Sequence, residues 1–219
     1  MNEVKEYYNS IATDYDHDRF ANSYGKFIDT EERIILHKWL DGIDKKFILD
    51  YGCGTGRLTN FANIGADISE AMLSIAKQKN PEKKFHLIQD NHLAIKENSL
   101  SAVYSFHVIM HLTPAEFKQM ATLIHEKLTD NGLFIFDILS KKRKPTKKGW
   151  HANTSYSINE IEKEIGHQFE ITTYNGILFF PIHRIPTFFR NYFLWLDIFL
   201  CSSFLKRFSS YYCILAKKK

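Results

Sequence analysis

The stretch Phe47-Ile48-Leu49-Asp50-Tyr51-Gly52-Cys53-Gly54-Thr55-Gly56-Arg57 decides how the rest of the chain is read. A short apolar run ends in an acid, and glycine follows at every second position. The run has the length and make-up of a buried strand. Glycine lets the backbone turn tightly there and lets a ligand lie close against it. Two phosphate-binding loops are excluded by spacing: GxGxxG needs glycine where Arg57 stands, and GxxxxGK[ST] fits nowhere in this stretch. Asp50 would also repel a pyrophosphate, whereas it suits a ligand carrying an ammonium or sulfonium charge.

Outward from this turn, short apolar runs recur at Ala66 to Ile68, Phe85 to Ile88, Ala102 to Phe106 and Leu133 to Ile138, separated by helical periodicity. Thr113 and Glu116 form a capping box for a helix over Ala115 to Leu128, with Pro114 in its first turn and Asn131-Gly132 as its stop. Ser69 caps a helix that runs to Lys79 and is closed by Asn80-Pro81, and Ser157 with Glu160 opens another that ends near Gly166. Strands alternating with helices predict an α/β three-layer sandwich, a parallel sheet covered on both faces. Ligands of such sheets bind beyond the carboxyl ends of the strands.

The composition agrees with one globular domain over residues 1–219: 44% hydrophobic, 25% charged and only five prolines. Three cysteines with no CxxC pair point away from a disulfide framework or a zinc site and toward a reducing, cytoplasmic setting. The first residues, MNEVKEYYNS, lack the basic flank and apolar run of a signal peptide. Phe188 to Leu205 is interrupted by Arg190 and Asp197, so it falls short of the roughly 18 apolar residues of a spanning helix. The net charge of +4 hides a gradient, because Leu139 onward carries 14 Lys and Arg against 5 acids.

The strings ILDYGCGTGRLT, ADISEAML and IQDN resemble motifs one to three of the class I S-adenosylmethionine-dependent methyltransferases. The resemblance covers roughly Tyr7 to Ile138 and implies a Rossmann-like fold whose seven-stranded, mainly parallel sheet has an antiparallel last strand. It implies S-adenosylmethionine as cofactor and S-adenosylhomocysteine as product. By the same resemblance Asp50 holds the methionine ammonium, and Gly52, Cys53, Gly54 and Gly56 form the loop on which the cofactor lies. Asp67 accepts from both ribose hydroxyls, Ile68 and Met72 flank the adenine, and Asp90 with Asn91 meets its amino group. The leading YYNSIATDYD resembles the family's lid, with Tyr15 and Arg19 reaching the methionine end, and residues 1–45 are the expected lid helices before a cofactor-binding core over 46–140. Two positions depart from the family pattern. Only Asn60 to Ala66 separate Thr59 from Asp67, so the first crossover helix must be short or irregular, and Ser101 stands where an acid often opens strand four.

The segment Ser105-Phe106-His107-Val108-Ile109-Met110-His111-Leu112 corresponds to the one that faces the transferred methyl group in the family. His107 and His111, four apart, can share one face of a helical turn, and either is a candidate base for a hydroxyl acceptor. No third ligand accompanies them, so no metal is expected. Residues 141–219 form the acceptor-side region, with an aromatic insert at 182–206 whose apolar residues occupy nearly every helical azimuth. Such a segment needs cover from the domain, from a second subunit or from a lipid surface, which leaves monomer, homodimer and peripheral membrane contact all open. An aromatic or anionic small molecule is the favoured acceptor. The alternatives are RNA held by the basic loop 141–148, or a cofactor-binding scaffold without turnover.

Overall fold

The structure is a computed structural model that describes residues 2–142 and 154–219. Positions 143–148 of the basic loop lie outside the described residues, so the expected phosphate-facing patch is reduced here to Lys141 and Lys142. Three helices lead in: α1 (Asn2–Ile11), α2 (Tyr15–Phe20) and α3 (Ser23–Trp39). The alternating part follows as β1 (Ile48–Tyr51), β2 (Ile64–Asp67), α4 (Glu70–Lys79), β3 (Lys84–Leu87), β4 (Leu100–Ser105), α5 (Pro114–Lys127) and β5 (Leu128–Ser140). Then come β6 (Ser155–Tyr156), α6 (Ile158–Ile165), β7 (Phe169–Ile177), α7 (Arg190–Ser202) and β8 (Tyr211–Lys218).

All the strands join one sheet in the order β3-β2-β1-β4-β5-β8-β7. The first five pair in parallel, whereas β8 runs antiparallel to both of its neighbours, β5 and β7. Seven strands along that path give the expected mainly parallel sheet with an antiparallel last strand. The two-residue β6 adds an eighth strand by pairing with Leu139 and Ser140, where β5 has outrun β4.

Alternation along the strands builds the layers. In β5, Phe134, Phe136 and Ile138 face one core with Phe117 and Ile124 of α5 and Ile161 of α6, while Ile135 faces the opposite core with Leu36 of α3. Local signals set the helices: Thr113 with Glu116 and Ser157 with Glu160 close reciprocal capping boxes, and the Ser69 hydroxyl accepts from the Met72 amide at 3.1 Å. One boundary differs from expectation. The helix α5 ends at Lys127, before Asn131-Gly132, because the fully buried Leu128 leaves it to pair with Leu100; Asn131, at φ +62°, instead lies inside β5. Among the described residues no helix is long and apolar enough to cross a membrane.

The crossover from β1 to β2 contains no α-helix, only a single 3-10 turn at Thr59–Phe61. Its place as a support for the glycine loop is taken by α3. Arg57, just past the last glycine, donates to Asp29 and, at 2.7 Å, to the fully buried Glu32, while Arg33 of α3 donates to the Arg57 carbonyl at 2.8 Å. The Tyr104 hydroxyl holds the Leu58 carbonyl from below at 2.7 Å.

Candidate functional site

A cleft opens at the carboxyl ends of β1, β2 and β4, roofed by α1 and α2, and its walls include Tyr8, Tyr15, Asp50, Asp67, Phe106 and His111. Its floor is the glycine loop. Gly52, Gly54 and Gly56 have φ of +76°, +53° and +83°, left-handed values that favour glycine at each position. A Cβ at Gly52 would come within 2.2 Å of the Val108 side chain, whereas one at Gly54 would meet nothing within 4 Å, so Gly54 presents bare backbone to the cleft. Gly56 is turned away toward Asn80 and Thr59 and shapes the loop without lining the cleft. Cys53 lines it too, buried, with its thiol pushed up by that burial.

Asp50 ends β1 in the cleft wall at 3% exposure, and its Oδ2 has no hydrogen-bond partner. Burial pushes this carboxyl up to about 7. Asp67, at the end of β2, accepts from the Gly54 amide at 2.8 Å and from the Ser69 amide at 2.9 Å, so it ties the glycine loop to the start of α4. Burial also raises Asp67, against the pull of those amides. Ile68, Met72 and Asn91 line the adjoining wall. Asp90 does not: Gln89 and His92 exchange backbone hydrogen bonds around Asp90 and Asn91, both left-handed, and this tight turn leaves Asp90 exposed while Asn91 faces the cleft. Ser105 is also outside the lining and fully buried, whereas its neighbour Phe106 lines the cleft.

The two histidines have different surroundings. His107 has φ +60° and precedes the 3-10 turn Ile109–His111, so the pair does not share a helical face as the spacing suggested. Nε2 of His107 lies 2.6 Å from Glu32 Oε1, Nδ1 lies 3.5 Å from Asp137 Oδ2, and its backbone amide donates to Asp137 Oδ1 at 2.7 Å. Burial would lower this imidazole, but Glu32 and then Asp137 outweigh it and raise it. With an acid beside each ring nitrogen, His107 links α3 to β5, and those acids favour its protonated form. His111 instead shares a 2.9 Å hydrogen bond with the Tyr8 hydroxyl, their rings 5.6 Å apart edge to face.

The roof is latched to the floor. Thr55 donates to Asp16 at 2.6 Å, Lys79 pairs with Asp16, and the Ser69 hydroxyl donates to Asn9 at 2.6 Å. Tyr15 lines the cleft as expected of the lid, but Arg19 lies outside the lining, its guanidinium 3.4 Å from the Tyr7 hydroxyl. Arg57, at the end of the glycine stretch, and Tyr8, in the leading YYNSIATDYD, belong to strings read in the sequence, whereas Glu32 and Asp137, which surround them, carry no motif of their own. The one sequence signal is the adjacent Glu31 and Glu32 inside an apolar-striped helix, where acids are seldom buried.

Residues 49–136 match the family model described as a methyltransferase domain. An uncharacterized protein of Methanocaldococcus jannaschii is 29% identical over 98% of this chain and 90% of its own length. A malonyl-[acyl-carrier protein] O-methyltransferase of Hamiltonella defensa is 25% identical over 66% of this chain and 62% of its own. In fold, the chain is similar to magnesium protoporphyrin IX methyltransferase from Synechocystis PCC 6803, a structure with bound S-adenosylhomocysteine. The TM-score is 0.68 at 18% identity, over 100% of this chain and 99% of that one. Motifs, sheet order and the match over residues 49–136 agree on what the chain resembles: a methyltransferase domain on the Rossmann-like fold of the class I S-adenosylmethionine-dependent enzymes.

Proposed function

We propose that this protein moves the S-methyl group of S-adenosylmethionine to an oxygen or nitrogen of a small organic acceptor. The observation that carries this reading is the Asp50 carboxyl, buried in the cleft wall with one oxygen lacking a partner. A cationic ligand group supplies that partner. The residues around it fit the cofactor along its length: Asp50 for the ammonium, bare backbone at Gly54 for its body, Asp67 for the ribose hydroxyls, Ile68 and Met72 for the adenine faces and Asn91 for its amine. Asp67 keeps the capacity for the ribose, since each carboxylate oxygen has two lone pairs and only one is taken by an amide. When bound, the cofactor supplies an electrophilic methyl group on a sulfonium.

The chain's own contribution is positioning and exclusion of water. In this reading residues 1–45 form the roof, 46–140 hold the cofactor and 141–219 face the acceptor. His111, hydrogen-bonded to Tyr8 in the cleft, is our assignment for taking the proton of a hydroxyl acceptor, and His107, held between Glu32 and Asp137, braces the turn that precedes it. Calorimetric titration with S-adenosylmethionine and S-adenosylhomocysteine tests the reading, with about micromolar affinity expected for both. Asp67→Ala is expected to weaken binding by about 1 to 3 kcal/mol. Unchanged affinity would remove the ribose assignment, and no binding by the intact chain would remove the cofactor reading itself.

A further inference from the structure

We propose that the outer face of α7 is a docking surface for an anionic lipid bilayer, a proposal that does not depend on the reaction assigned above. The helix has two apolar faces with different fates. Its inner face is spent inside the molecule: Asp197, fully buried, accepts from the Phe179 and Phe180 amides at 3.0 and 2.8 Å, and Cys201 is buried beside it. Its outer face carries Tyr192, Trp195 and Phe199 at 78%, 77% and 66% exposure, with Leu196 between them, one stripe at helical spacing. Phe188 and Phe204, just before and after the helix, are also exposed. Of the ten large exposed hydrophobic side chains among the described residues, eight fall within 188–208, which makes this a patch and not scatter.

Within this segment the exposed charge is of one sign. From Phe179 to Phe208 the bases are Arg184, Arg190, Lys206 and Arg207, and the single acid is the buried Asp197. Arg207 and Lys142 both stand over the Phe208 ring, at 4.9 and 4.5 Å from its centroid. Aromatic rings seated among cations are the composition of an interfacial anchor, with rings at headgroup depth and cations on lipid phosphates. A two-fold contact between copies through this segment would instead set its cations against one another, since its single acid is the buried Asp197. The 13-residue α7 is long enough to lie in the interface and too short to span it. Arg190, opening α7, donates to Ser23 at 2.7 Å, three residues beyond the cleft-lining Phe20.

The test is co-sedimentation of the full chain with vesicles of phosphatidylcholine alone and with about 30% phosphatidylglycerol. Retention is expected on the anionic vesicles only, and is expected to fall as salt rises from about 0.1 to about 0.5 M. Replacing Tyr192, Trp195 and Phe199 together by serine should cut partitioning about tenfold or more. Arg184→Glu with Arg207→Glu should do the same. In both variants cofactor affinity and thermal midpoint should stay put, which separates lost docking from lost folding. As a second readout, Trp195 emission in a Trp39→Phe/Trp150→Phe background should shift to shorter wavelength on the anionic vesicles. The proposal is overturned by no retention on anionic vesicles, by full retention of the serine variant, by an unmoved emission, or by a dimer in sedimentation velocity that the serine variant dissolves.

Discussion

Asp50 shows how a single carboxyl can couple ligand binding to pH. Burial raises it to about 7 and leaves one oxygen without a partner, so in the free protein below that pH it holds a proton. A cationic ligand group favours the ionised form, and the proton must then leave on binding. Affinity for S-adenosylhomocysteine should therefore climb with pH, up to about tenfold per unit below about 7, and level off above. Asp50→Asn should bind about 2 kcal/mol more weakly and lose the part of the slope that Asp50 contributes, both read by calorimetry at several pH values. The histidines predict an opposite pair of phenotypes. Removing His107 as glutamine leaves Glu32 and Asp137 buried without their shared cation, so a stability loss of about 3 to 5 kcal/mol is expected in thermal melts. His111→Gln should leave the melt nearly unchanged and lower turnover more than cofactor affinity, provided the acceptor is one that must lose a proton.

At the scale of elements, the missing crossover helix and the charges of α3 form one arrangement. Arg57 reaches from the glycine loop to Asp29 and Glu32, and Arg33 reaches back to its carbonyl. Arg57→Leu should cost about 3 to 5 kcal/mol, on the order of 10 °C in melting temperature, and loosen cofactor binding with it. Arg57→Lys should not restore either, since a single ammonium cannot span two carboxylates as the guanidinium fork does. A melt and a titration on each variant check this. The glycine loop, the capping boxes and the strand-helix rhythm were legible in the sequence because each is a local pattern, complete within a few residues. The support of that loop was not, since its partners lie 25 and 28 positions away on another helix, a separation that no local pattern spans. The same reason hid the different fates of His107 and His111: a spacing of four suggests a shared helical face only if the backbone is helical, and His107 is left-handed. At Asp90 and Asn91 a left-handed turn leaves the first exposed and the second in the cleft wall, a difference that two adjacent letters do not show. In α7 apolar residues on all sides concealed that one side packs on the core while the other is bare.

For the molecule as a whole, these buried charges set an unusual dependence of stability on pH. Against the cost of burial, Arg57 and His107 hold the Glu32 carboxyl down at about 2; its stabilising contribution is present above the ordinary carboxylate range and is lost only as pH falls toward 2. Four other buried acids work the opposite way. Asp50 at about 7, Asp137 at about 6, Asp67 and Glu31 are all raised, chiefly by burial, with Glu31 pushed further by the Asp197 carboxylate beside it. A raised carboxyl favours the folded state while it can keep its proton, so that stability drains away as pH climbs from about 4 toward each folded value. His107, raised by Glu32 and Asp137 against its burial, contributes fully below about 6.5 and loses its contribution as pH rises through its folded value. The terms share a direction above pH 5, so the thermal midpoint of the ligand-free protein should be highest near pH 4 to 5 and decline toward pH 8. Glu31→Gln, which keeps the shape of the protonated carboxyl without the charge, should flatten part of that decline. Saturating S-adenosylhomocysteine should flatten the part due to Asp50, because its ammonium gives the ionised carboxylate the partner it lacks. A midpoint that rose steadily from pH 5 to 8 would mean that these acids ionise inside the fold at no cost, and the account of Asp50 as a carboxyl waiting for a cation would fall with it.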